Sequence, residues 1–464
     1  MIKNFLRSPA IDPVIRDVWS VVKVIRVSAG LVLGLFLYTY GVFLFDHFGG
    51  DQKAFRLTIF LVIFTDLIIF LTEVPTGALA DYIGRKKAVI ASFSFQALTC
   101  AAQAGMVFIV SVKGSFILAA LSAITYALSF TLFSGSFNAW VVDAVRERKI
   151  PEGHASLLAR SYSYIFLGQI VGAIIGLSLY LSGYIVYAFS LGCTVCVVCV
   201  CYCGFNMQET VSLSFYNGSL LMKQSLLKMR DIMIVGFKIL IKSPVLLYLV
   251  FIQTGLMFLI NIVNYMWPIG MKTNFGAGKM SPYWFLIVFV GLGASTVGSK
   301  WIERINRSFQ LNPVKKSPSS ILWLWFVGVA LVSSLPIAVL GVEKIYGFTS
   351  FTLFFVAITL CQFGYGFLSP TYYILLNNYI PAEHSKERAT IMSFGSMFTS
   401  LVMMVLMFPS SGPNGEDTAI GWIIPSGIVI LMVLIFHPLM RRYQRKIGEL
   451  SKQPDAIWAE NTTN

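Results

Sequence analysis

Apolar residues in this chain follow neither the alternation of a half-buried strand nor the single stripe of a surface helix. They run on for roughly 20 residues at a time and then give way to short polar segments. Helical runs of that length match the hydrocarbon core of a bilayer, about 30 Å thick at 1.5 Å of rise per residue. The pattern predicts spans near 26–47, 55–79, 88–111, 116–143, 158–182 and 184–206. After a longer polar stretch it predicts six more, near 244–269, 282–301, 321–341, 347–373, 388–410 and 420–440. The expected fold is an all-α integral membrane protein with twelve transmembrane helices in two pseudo-symmetric six-helix bundles. Residues 1–207 form the first bundle, 208–243 an amphipathic cytoplasmic linker, 244–446 the second bundle and 447–464 a cytoplasmic tail. Within the linker, residues 226–241 mix cations with Met, Ile, Val and Phe at helical spacing, which suits a helix lying on an anionic leaflet.

Composition sharpens this picture. Hydrophobic residues make up 56% of the 464 positions and charged residues only 12%, with mean hydropathy +0.75, so neither a water-soluble nor a disordered chain fits. The net charge of +14 would suit nucleic acid, but the cations are confined to segments between apolar runs. Assigning alternate loops to alternate sides puts 29 of the 35 Lys and Arg on the side of both termini and six on the other. Lys and Arg are retained on the cytoplasmic side, so both termini are expected in the cytoplasm of a cell-membrane protein. Five of seven cysteines fall inside span six. The spacing of Cys196, Cys199 and Cys203 invites a soft-metal reading, but no His joins them and small apolar packing explains them equally well, so no metal site is assigned. The N-terminal residues carry no cleavage site, and the first span is expected to stay. With no phosphate-binding loop of the Gly-x-x-x-x-Gly-Lys-Ser/Thr type and no zinc or serine-nucleophile arrangement, neither an enzyme nor a cofactor is expected.

Two features suggest a duplicated carrier. Ile150-Pro151-Glu152-Gly153-His154 follows span four, and Ile380-Pro381-Ala382-Glu383-His384 follows span ten, 230 residues later at the equivalent position. Between spans two and three stands Gly77-Ala78-Leu79-Ala80-Asp81-Tyr82-Ile83-Gly84-Arg85-Lys86-Lys87. This resembles, at every fixed position, the Gly-x-Leu-x-Asp-x-x-Gly-Arg-Lys loop of the major facilitator superfamily. The stretch Thr72-Glu73-Val74-Pro75-Thr76-Gly77 and the later Arg388-Ala389-Thr390 are similar to bacterial drug-efflux-like members. Many of those carry an acid where this chain has Asn138, and the loop copy after span eight is degenerate, keeping only the character of Gly298, Glu303, Arg304 and Arg307.

The resemblance implies a gate. Gly77 would let spans two and eleven approach, Gly84 would support the turn, Asp81 would accept hydrogen bonds near a helix N-terminus, and Arg85 would pair with a carboxylate ending span four, for which Asp143 is the candidate. In the family such contacts hold the outward-facing state and break as the halves rock. The small residues Gly168, Gly172 and Gly176 of span five resemble an antiporter repeat without its usual Gly-Pro pair, and close helix packing is the preferred reading.

Polar side chains inside the spans supply the remaining candidates. Asn261, Asn264 and Tyr265 of span seven, with Tyr38 and Tyr40 of span one, Trp140 of span four, and Gln362 and Tyr365 of span ten, are candidates to line a central amphipathic cavity. Asp66 lies half way along span two, and Glu73 follows seven residues later on the same face, roughly 10 Å along the axis. An ionised Asp at that depth costs about 2.5–3.5 kcal/mol or more. Arg26 and Arg56 are expected near the ends of their helices, with no cation at mid-depth, so Asp66 is the candidate proton-coupling site and Glu73 the neighbouring one. The expected function is secondary active transport by alternating access, as proton-coupled efflux of small amphipathic or cationic compounds. The alternative is proton-coupled or facilitative uptake of a nutrient such as a sugar, an amino acid or an iron chelate. Protons, a small-molecule substrate and membrane lipid are the expected partners of a monomer.

Overall fold

The computed structural model describes residues 16–147, 153–209, 221–275, 281–311, 328–332, 334–339, 351–379, 388–407, 423–424, 426–431, 433–435 and 438. Within them the chain is helical: α1 Arg16–Leu37, α2 Tyr40–His47, α3 Gln52–Ile83, α4 Arg85–Met106, α5 Val112–Glu147, α6 Gly153–Leu181, α7 Ile185–Asn206, α8 Leu221–Lys242, α9 Pro244–Phe275, α10 Ser281–Leu311, α11 Phe351–Tyr379 and α12 Arg388–Met407. Eight helical segments among the described residues are long and apolar enough to cross a membrane, and α1 with α2 counts as one of them. The bent pair α8–α9, turned by 96°, would make nine. Shorter apolar helices occupy Gly328–Val339, Ser393–Val405 and Ser426–Ile435. The repeated Ile-Pro segments fall outside the described residues, apart from Gly153 and His154 at the start of α6.

Polar side chains of α3 are satisfied within the helix itself, as a nonaqueous surrounding favours. Asp51 caps α3 by accepting from the Ala54 N–H at 2.8 Å, and the hydroxyls of Thr58, Thr65 and Thr72 donate to carbonyls one turn back within that helix. Glycine seams weld neighbours together. A Cβ at Gly168, Gly172 or Gly176 of α6 would strike the α1 carbonyls of Val27, Leu31 or Leu35, and one at Gly366 of α11 would strike the Ser295 carbonyl of α10. The small-residue repeat of span five is therefore a packing surface in this structure.

Two differences from the expected spans matter. The first helix begins at Arg16 rather than near 26, because Val18, Trp19, Val21, Val22 and Ile25 are buried in the core despite the charged residues between them. It also breaks at Tyr38-Thr39 before α2. The amphipathic linker helix is α8, and the chain turns at Ser243 into α9, so that α8 crosses α9 almost at a right angle while packing beside α3 and α12.

Candidate functional site

Three clusters of charged and polar side chains occupy this scaffold, one at the end bearing the signature loop, one bridging earlier and later helices nearby, and one between α3 and α12. At the loop, Gly84 takes φ +102°, a conformation that disfavours a side chain, and so lets α3 stop and α4 start with this single residue between them. Arg85, fully buried, pairs with Asp143 near the C-terminus of α5. The Glu209 carboxylate accepts from the Arg85 N–H at 2.8 Å and the Lys86 N–H at 3.2 Å, while Lys86 Nζ donates to the Gly204 carbonyl at 2.8 Å. Glu209 thus supplies the negative charge that the free N–H groups of α4 favour. A Cβ at Gly84 would collide with that carboxylate. The Trp140 indole N–H donates to the neighbouring Gln208 carbonyl at 2.7 Å, which locks the segment after α7 onto α5. Gly77 is buried within α3, and the Asp81 side chain lies outside what the structure describes.

The second cluster joins α6 to α10. Arg160 Nε donates to Glu303 at 2.7 Å, both side chains being buried, and the Ser163 and Ser299 hydroxyls meet at 2.5 Å. Trp19 stacks under the guanidinium at 5.3 Å. In the sequence Glu303 stands out only as part of a degenerate second loop; its partner lies 143 residues away, and no local pattern announces the pairing.

The third cluster holds the two acids of α3. Asp66 accepts a hydrogen bond from Ser400 of α12. Glu73, with 0% exposure, accepts from Ser134 of α5 at 2.5 Å and has Ser393 and Ser396 of α12 against it. Neither acid forms an ion pair among the described residues, so neutral hydroxyls from both parts of the chain surround them.

The candidate cavity residues separate. Asn264 accepts from Gln362 Nε2 at 2.7 Å, and Ser295 donates to the Gln362 carbonyl at 2.7 Å, tying α9, α10 and α11 together. Tyr365 packs edge-on against Phe166 and lies near Tyr38. Asn261 is partly buried on α9, and the Tyr265 side chain lies outside the described residues. Tyr40 bonds Ser122 at 2.8 Å among the first helices, and Trp140 belongs to their core, so neither joins the others.

One residue overturns an expectation. Arg26 is not near a helix end: α1 starts ten residues earlier, and the guanidinium is buried, 3% exposed, where α1, α5, α6 and α11 converge. At the opposite end of the bundle the closure is apolar. Val42, Phe55, Ile59 and Leu177 from the earlier helices pack with Leu259, Trp284, Ile287 and Phe354 from the later ones. Cys196, Cys199 and Cys203 pack in the core of the first helices.

Long apolar helices packed around buried polar clusters are the architecture of a multi-pass membrane protein. The family model of the Major Facilitator Superfamily matches residues 22–407, and the chain belongs to that superfamily, whose members are transporters of small molecules. No curated protein matches it in sequence. Among solved structures, the human organic anion transporter MFSD10 (TETRAN) is similar at TM-score 0.65 and 15% identity, over 91% of this chain and 99% of that one. The proton:xylose symporter XylE, bound to 6-bromo-6-deoxy-D-glucose, aligns at TM-score 0.63 and 12% identity, over 91% and 95%. A bacterial homologue of the iron transporter ferroportin, outward-facing with soaked iron, aligns at TM-score 0.60 and 16% identity, over 91% and 98%. At these identities the likeness is one of fold.

Proposed function

We propose that this chain is a proton-coupled secondary transporter of the cell membrane that exports small amphipathic compounds by alternating access of two six-helix halves. The observation that carries the reading is the α3–α12 interface, where Asp66 and Glu73 face the serine hydroxyls of α12 and form no ion pair among the described residues. An acid without a cation in such a place takes and loses a proton as water reaches it, and any motion of α12 against α3 changes that access. The cation count of the loops supports cytoplasmic termini. In that orientation Arg85, beside the turn shaped by Gly77, Asp81 and Gly84, forms a cytoplasmic gate with Asp143 of α5, and Arg160–Glu303 reinforces it. The similarity of residues 72–77 to drug-efflux-like members supports export. The buried charge of Arg26 counts against the cationic cargo that the sequence alone left open.

Purified protein in proteoliposomes, given amphipathic dyes of each charge sign with and without a pH gradient, tests this reading. The wild type should move a dye uphill on the gradient, and Asp66→Asn should lose uphill movement while keeping dye exchange. Uphill transport by the Asn variant would remove Asp66 from the coupling role, and gradient-independent transport by the wild type would remove the coupling itself.

A further inference from the structure

A guanidinium never loses its charge under ordinary conditions, so the surroundings of a buried one show what the site is built to meet. Arg26 Nη2 donates to the Oδ1 of Asn138, and the Tyr162 hydroxyl lies within hydrogen-bonding reach. The rings of Phe137 and Tyr162 sit 4.7 and 4.8 Å from the guanidinium carbon, with Phe133 at 5.8 Å. Arg26 Nε has no hydrogen-bond partner among the described residues. Among the described residues no carboxylate pairs with this side chain, although Arg85 and Arg160 each have one. The Asn138 amide holds the guanidinium in place and is itself held, since its Nδ2 donates to the Ser134 carbonyl at 2.9 Å. Tyr373 of α11 stacks on Tyr162 at 6.1 Å, so the site is shared between helices before and after the linker.

This combination has a chemical meaning. Rings and an amide orient a cation but do not neutralise it, and a permanent charge left in a low-dielectric place has a strong affinity for an anion. Phe137 is fully buried against Phe133 and Trp140, so the aromatic surface next to the charge that a ligand could share is that of Tyr162, at the contact between α6 and α11. We propose that Arg26 is the anchor of the substrate site and that the cargo is an organic anion: a carboxylate or sulfonate on a flat, apolar or aromatic body. The acidic group takes the Nε edge of the guanidinium, and the body lies against Tyr162. The proposal rests on the transporter reading above but not on its proton coupling.

Three isosteric probes isolate the charge: 1-naphthoate, 1-naphthalenemethanol and 1-naphthylmethylammonium share a ring system and differ in sign. Equilibrium binding to the full chain in neutral-lipid nanodiscs, at one pH without a gradient and with empty discs as blanks, should rank naphthoate first and the ammonium last. Arg26→Gln, which can still hydrogen-bond Asn138, should lower naphthoate affinity about tenfold to a hundredfold, the range for a lost bond to a charged group. Arg26→Lys should keep the preference for the anion. The ligand-free Arg26→Gln variant should melt no lower than wild type, since an unneutralised buried charge is removed, and naphthoate should raise the melting temperature of the wild type alone. Equal affinity for the three probes, undiminished anion preference in Arg26→Gln, or a ligand-free Arg26→Gln that melts below the wild type would each overturn the proposal. Because no gradient is present, failure here leaves the Asp66 test standing, and failure of proton coupling leaves this result standing.

Discussion

Arg160 and Arg26 occupy the same kind of place and are finished differently. Both are buried, and both lie over aromatic rings, Trp19 for the one and Phe137 with Tyr162 for the other. Arg160 has the Glu303 carboxylate, from a helix more than a hundred residues onward, whereas Arg26 has an amide and hydroxyls. A guanidinium that already holds its counter-charge is a tie between helices. One that holds only neutral partners keeps its field available, so the same residue type serves as a latch in one cluster and as a receptor in the other.

The contrast can be broken most forcefully at Glu303. Glu303→Ala strands the Arg160 charge, and denaturant unfolding should show a loss of about 3–5 kcal/mol, the usual cost of removing one partner of a buried pair. A loss no greater than that of Arg26→Gln would erase the distinction between the two arginines. Replacing both partners, as Arg160→Met with Glu303→Leu, removes charge and desolvation together. Stability should then range from unchanged to about 1–4 kcal/mol higher than wild type. Transport should slow or uncouple, because the tie between α6 and α10 is no longer specific; a double variant as unstable as Glu303→Ala would show that packing, not charge, holds this contact. The smallest effect is expected at the signature loop. Glu209→Gln keeps the shape of the cap but drops its charge, which should cost about 0.5–2 kcal/mol and speed hydrogen exchange at the Arg85 and Lys86 amides. Unaltered exchange at those two amides would mean that the carboxylate is a bystander.

Much of the scaffold could be read from hydrophobic run lengths, since lipid fixes how long a helix must be and forbids unpaired backbone. The helices α3, α5 and α6 overlap the spans at 55–79, 116–143 and 158–182, and the amphipathic stretch at 226–241 falls inside α8. The signature loop also drew attention to Asp143, which is found against Arg85. What escaped was of two kinds. The buried turns around Val18–Ile25 carry Lys23 and end at Arg26, so a hydropathy window starts the helix too late and misplaces the arginine toward its end. Glu209 and Glu303 act on partners 124 and 143 residues distant, and such pairings leave no periodicity or spacing in a single sequence.

The apolar closure opposite the signature loop has a thermal consequence. Val42, Phe55, Leu259 and Trp284 pack there in a mainly apolar cluster, so parting them would wet apolar surface and raise the heat capacity, as melting a core does on a larger scale. The ionic contacts at the other end carry no comparable contribution. An equilibrium between states that open one end or the other therefore has an enthalpy that changes with temperature, and a van't Hoff plot of it curves. Cooling weakens the hydrocarbon contact, so the temperature at which this molecule works is itself one of the settings of which face it shows.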